Sequence, residues 1–147
     1  MAQDAKTNIW INIVLTETSK LANNQGIKIM HACGAECSNS SGLLTGAKKI
    51  SEEYKKSKDI DKRFEAFKTN YYNKPTLTKN GNKITLIFQT CTCSFVENGV
   101  KNPYLCNCTE GYTKNIFETL FNRPLKINLL KTILRGDSIC EQEIFIL

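Results

Sequence analysis

Residues 75–88, PTLTKNGNKITLIF, decide the fold. Asn80-Gly81 at their centre is a two-residue turn signal, because the tight turn that suits a twisted hairpin needs positive φ at both central positions. On either side, Thr76-Leu77-Thr78-Lys79 and Lys83-Ile84-Thr85-Leu86-Ile87-Phe88 are rich in β-branched residues and alternate in polarity. That pattern predicts an antiparallel hairpin.

Everything before the hairpin reads as helix. Over residues 5–23, Ile9, Trp10, Ile13, Val14 and Leu21 recur at helical spacing. After a break at Asn23-Asn24-Gln25-Gly26, a second helix is expected from Ile27 to about Cys37, with Ile27, Met30, Gly34 and Cys37 along one face. Gly34 inside a helix disfavours it, which predicts the close approach of another element. Ser38 to Gly42 reads as a loop, and helices follow at 46–57 and 59–72. In the last of these, Ile60, Phe64, Phe67 and Tyr71 form an apolar stripe, leaving Lys62, Arg63, Glu65 and Lys68 for the polar face.

Beyond the hairpin the expectation is mostly sheet. The second strand is expected to run on through Cys91 and Cys93, and a short strand to carry Tyr104 to Cys108 after the Asn98-Gly99 turn. Thr109 is the expected N-cap of a helix at 110–121, with Tyr112, Ile116, Phe117, Leu120 and Phe121 buried. Strands at 126–129 and 139–147, joined near Arg135-Gly136-Asp137, complete the chain. The class is α+β: a helical N-terminal half, then a mostly antiparallel sheet with one late helix packed on it, expected as one domain over 1–147.

Composition narrows the function. The chain has 147 residues, 41% hydrophobic and 23% charged, which suits a soluble globular protein. The N-terminus, MAQDAKTNIWINIVL, lacks a basic leader region, so a signal peptide is not expected, and no apolar run is long enough to span a bilayer. The expected location is the cytoplasm, where thiols stay reduced. Much of the net charge of +6 lies between Lys48 and Lys68 among interleaved acids, the pattern of solvated helix faces, so nucleic acid is not an expected partner.

The seven cysteines hold the functional signal. Cys91/Cys93 and Cys106/Cys108 are Cys-x-Cys pairs, and on a strand each would present two sulfurs to one face. Cys33 and Cys37 share a face of the second helix. These six are the candidate metal ligands, with at least four sulfurs expected in one cluster. Zinc is the expected ion; iron–sulfur ligation suits the spacing less. Cys140 reads as a small buried hydrophobe. His31, the single histidine, is expected to be a surface or packing residue. An alternative class is catalytic. Cys108, beside a helix N-terminus, or Cys106 would be the nucleophile, with only His31 as a base and no acid near it in sequence to orient it.

The C-terminal third carries a resemblance. Cys106-x-Cys108-Thr109-x-Gly111-Tyr112, Phe117-Glu118, Arg123-Pro124-Leu125 and Ile133-x-x-Gly136-Asp137-x-x-Cys140, spanning residues 104–147, resemble the end of 4-vinyl-reductase-type small-molecule-binding domains, which share the Bet3-like α+β fold seen in haem–nitric-oxide sensors. The same residues are similar to the aminothiazoline-carboxylate hydrolase-like family. The strand after the late helix, Lys126-Ile127-Asn128-Leu129, departs from the first pattern in lacking its acidic residue. The first resemblance implies a ligand pocket between helices and sheet, with a metal held by cysteines. The second implies a cysteine-dependent hydrolase acting on a small amide or thiazoline-type ring. The leading expectation is therefore a small-molecule-binding or sensing domain with a thiol-rich site.

Overall fold

The computed structural model describes residues 5–72 and 75–147. Four helices come first: α1 (Ala5–Ser19), α2 (Gln25–Asn39), α3 (Gly42–Glu53) and α4 (Ile60–Tyr71). The expected loop before α3 shrinks because Ser41 caps the helix, its hydroxyl accepting from the Leu43 N–H at 3.1 Å. Asp59 does the same for α4, accepting from the Lys62 N–H at 3.1 Å. The hairpin strands β1 (Thr76–Asn80) and β2 (Lys83–Phe88) follow as expected, but the turn sits one residue further on. Asn80 pairs with Lys83, so Gly81 and Asn82 are the central residues, and of these two only Gly81, at φ 58°, has positive φ. After a single turn of helix α5 (Ser94–Glu97) come α6 (Asn107–Phe121), β3 (Leu125–Lys131) and β4 (Cys140–Ile146).

The sheet is antiparallel throughout, in the order β1-β2-β4-β3, so the last strand lies inside it and pairs with both β2 and β3. Alternation along β4 turns Gln142, Ile144 and Ile146 inward. They meet Ile84 and Leu86 of β2 and the apolar face of α6. Phe67 of α4 packs edge-on against Phe117 of α6 at 5.8 Å between ring centres. A second hydrophobic cluster, Leu15, Met30, Val100 and Leu105, ties α1 and α2 to the segment before α6.

The apolar residues that recur along α1 lie on its outer face: Trp10 is 65% exposed and Ile9, Ile13 and Val14 are also open, while Leu15 is the buried residue. Apolar residues occur on every side of this helix, so spacing selects no face. Arg63, assigned to a polar face, is 8% exposed. Its guanidinium donates to the carbonyls of Leu120, Tyr54 and Ser57, closing the C-terminal ends of α6 and α3.

Candidate functional site

Gly34 and Gly111 set the geometry of the site. A Cβ on Gly34 would stand 1.8 Å from the Cys108 carbonyl oxygen and 2.7 Å from the Tyr112 nitrogen, and one on Gly111 2.1 Å from the His31 carbonyl oxygen. The backbones of α2 and α6 therefore touch where they cross, which only glycine at both positions allows. The crossing is pinned by side chains. His31 Nε2 lies 2.7 Å from Glu110 Oε2, whose other oxygen accepts from the Leu129 N–H of β3 at 3.2 Å. Asn115 donates to Ser38 Oγ at 2.7 Å, and Tyr112 to Ser41 Oγ at 2.6 Å. His31 is thus not a bland surface residue. It has an acidic partner, far away in sequence and adjacent in space.

Residues 89–106 differ from expectation. β2 stops at Phe88, Cys93 is the residue before α5, and no strand runs from Tyr104 to Cys108. Asn102 accepts from the Tyr104 N–H at 2.9 Å and Pro103 opens a 3-10 turn that runs straight into α6. The late helix thus begins at Asn107, and Thr109 lies inside its first turn instead of capping it. An Asx cap followed by proline at the first helical position is a recognisable start signal. Here it outweighs the β-propensity of Tyr104 and the cysteines.

The cysteines form a seam from the α2–α6 crossing to the Cys140 end of the inner strand β4. Cys108, in the first turn of α6, hydrogen-bonds Cys37 and lies near enough to Cys33 and Cys93 for their charges to act on it. Cys91 is similarly near Cys93 and Cys140, and Cys106 near Cys140 and Cys91. All seven are free thiols; Cys33 and Cys37 are exposed and Cys106 buried. Burial pushes the Cys108 thiol up to about 12, with the neighbouring sulfurs adding to it, and burial likewise raises Cys91 and Cys106. The helix N-terminus was expected to favour a Cys108 thiolate; loss of water outweighs it.

The seam ends on the sheet. Cys140, expected to be simple packing, accepts from the Ile133 N–H at 3.4 Å and is near Cys106 and Cys91. Two residues on, and therefore on the same face of β4, Gln142 is 1% exposed. Neither its Oε1 nor its Nε2 has a hydrogen-bond partner. It lies opposite Leu129, whose N–H Glu110 takes. Sequence reasoning passed over it, since a glutamine at the start of an apolar strand gives no sign of complete burial. Among the described residues, no three His, Cys, Asp or Glu side chains stand where they would hold a metal ion together. The sulfurs are neighbours but share no centre.

These features sit on a chain matched along its whole length, residues 1–147, by one family. It belongs to DUF6144, a family of unknown function. Among solved structures, this DUF6144 chain is similar to the phenol-responsive sensory domain of the transcription activator PoxR bound to phenol, at TM-score 0.56 and 12% identity, over 99% of this chain and 76% of that one. It is also similar, at TM-score 0.44 and 13% identity over 95% and 96% of the two chains, to trafficking protein particle complex subunit 3 from Naegleria fowleri, covalently bound to palmitic acid. The first likeness shows a shared α+β fold. No curated protein matches the sequence. No helix among the described residues is long and apolar enough to cross a membrane.

Proposed function

We propose that this chain is a small-molecule-binding or sensing domain. Its ligand lies between the N-terminal turns of α6 and the Cys140–Gln142 end of the sheet, and the thiol seam forms one wall. The observation that carries the reading is the Gln142 amide. A buried amide with both ends unpartnered costs about 1–3 kcal/mol, and native proteins keep few such groups without a use. A small ligand with one hydroxyl or carbonyl on an otherwise apolar body would satisfy it. The fold shared with a phenol-responsive sensory domain supports the same class of ligand.

Zinc is the ion proposed for the seam. Cys33, Cys37, Cys93 and Cys108 are soft donors near one another, and Cys33 and Cys37 are exposed, which supports the reading. The hydrolase alternative, with Cys108 or Cys106 as nucleophile, draws no support from the seam, because burial holds both thiols protonated.

Phenol titration followed by amide NMR tests the ligand reading. Shifts should centre on Glu110, Leu129 and Gln142 in the wild type. Gln142→Leu should lose them while raising the urea midpoint. Equal phenol binding by wild type and variant, or none by the wild type up to the solubility limit, refutes the proposed site. Elemental analysis of protein purified without added metal tests zinc separately. A stoichiometric amount supports it, and a trace amount with all thiols freely titratable sinks it.

A further inference from the structure

The other end of α6 holds a second candidate site, roughly 20 Å along the helix from Cys108. There a cleft of about 320 Å³ opens between the C-terminal ends of α3 and α6 and the start of α4. Lys55, Lys58, Arg63 and Arg123 line it, with Ile60 and Phe121, and no acidic residue does. Lys55 is paired with Glu52 at 3.2 Å outside the cleft; among the described residues Lys58, Arg63 and Arg123 have no carboxylate partner. The nearest acid in sequence, Asp59, is occupied in capping α4.

Arg63 is more than nine-tenths buried, and its Nε has no hydrogen-bond partner, although its other nitrogens donate to three carbonyls. A buried guanidinium N–H left empty beside two unpaired surface cations is the donor set that anion recognition requires. Phe121 and Ile60 supply an apolar floor.

We propose that this cleft binds the phosphate group of a small phosphate monoester, held by Arg63 Nε, Lys58 and Arg123, with its organic part over Phe121 and Ile60. A phosphate suits the site better than a carboxylate does. Its two charges match the surplus of cations, and its oxygens can reach several donors at once. The site shares no residue with the thiol seam, so neither reading depends on the other.

The test is an NMR titration of the whole chain with inorganic phosphate, against chloride at equal ionic strength, reading the Arg63 Nε–H resonance and the backbone amides of Ile60, Asn122 and Arg123. Phosphate alone should move these signals. Because Arg63→Ala removes three carbonyl contacts and endangers folding, the decisive variant is Lys58→Ala/Arg123→Ala, both on the surface. It should weaken phosphate binding about tenfold or more. An unmoved Arg63 Nε–H, or undiminished affinity in the double variant, overturns the proposal. Two further probes identify the source of the phosphate. Binding of glycerol phosphate without retention on vesicles points to a soluble monoester. Retention on phosphatidylcholine vesicles containing phosphatidic acid, lost in the double variant, points to a lipid headgroup. Failure of both probes overturns the monoester assignment.

Discussion

Gly34→Ala sets two large effects against each other. Alanine is the better helix former by about 1 kcal/mol, so propensity alone predicts a more stable protein. The new methyl would stand 1.8 Å from the Cys108 carbonyl oxygen, where ordinary contact begins at 3.4 Å. The atoms in the way, on Cys108 and Tyr112, are backbone and cannot swing aside. Helix α2 must retreat by about 1.5 Å, opening its seam with α6. Overpacking of this kind costs about 1–3 kcal/mol at well-packed sites and more where backbone is the obstacle. A net loss of about 2 kcal/mol is expected, a fall of about 1 M in the urea midpoint. Gly42→Ala is the control. Nothing lies within 4 Å of its Cβ, so a gain of about 0.5 kcal/mol is expected. The retreat should also open Cys108 to alkylation, which a simple loss of propensity would not do. A Gly34→Ala protein as stable as wild type, with Cys108 still protected, would show that the crossing is looser than described.

Three further outcomes follow from the same geometry. With iodoacetamide at about pH 8, Cys33 and Cys37 should react first and Cys108 last, since a thiol at about 12 instead of 9.0 has about a thousandfold less thiolate; peptide mapping that found Cys108 labelled as fast as Cys33 would contradict its burial. Raised values at Cys91, Cys106, Cys108 and Tyr72 mean that the folded chain keeps protons the unfolded chain has lost. This stability is complete below about pH 9 and falls as pH rises toward about 12, so a urea midpoint that stayed flat over that range would refute the shifts. Glu110→Ala removes the partners of His31 and the Leu129 N–H and should cost about 1–3 kcal/mol; Glu110→Gln keeps an acceptor for Leu129 and should cost less, an order readable from denaturation curves.

Elements set by local rules were legible in the sequence: the hairpin of β1 and β2 and the Phe64/Phe67 stripe of α4 each follow from a short-range pattern. The segment from Gln89 to Cys106 was not. Its structure depends on a cap at Asn102 and on Val100 and Leu105 being drawn into the cluster with Leu15 and Met30. The candidate site was half legible. Gly34 announced a close approach, and the paired cysteines announced a thiol-rich surface. Gln142, the His31–Glu110 pair and the burial of Arg63 are products of tertiary packing between residues far apart in the chain, and no local pattern encodes them.

The place of β4 inside the sheet orders the birth of the protein. Until residues 140–146 are synthesised, β2 and β3 have no strand between them, and β1–β2 is an isolated hairpin, marginal in water. The helices can form earlier, yet Phe117 and Leu120 wait for Ile144 and Ile146 to complete their cluster. A chain broken off before Cys140 is therefore not a smaller version of this fold. It is a set of helices with an uncovered apolar face, the kind of species that chaperones bind and proteases clear.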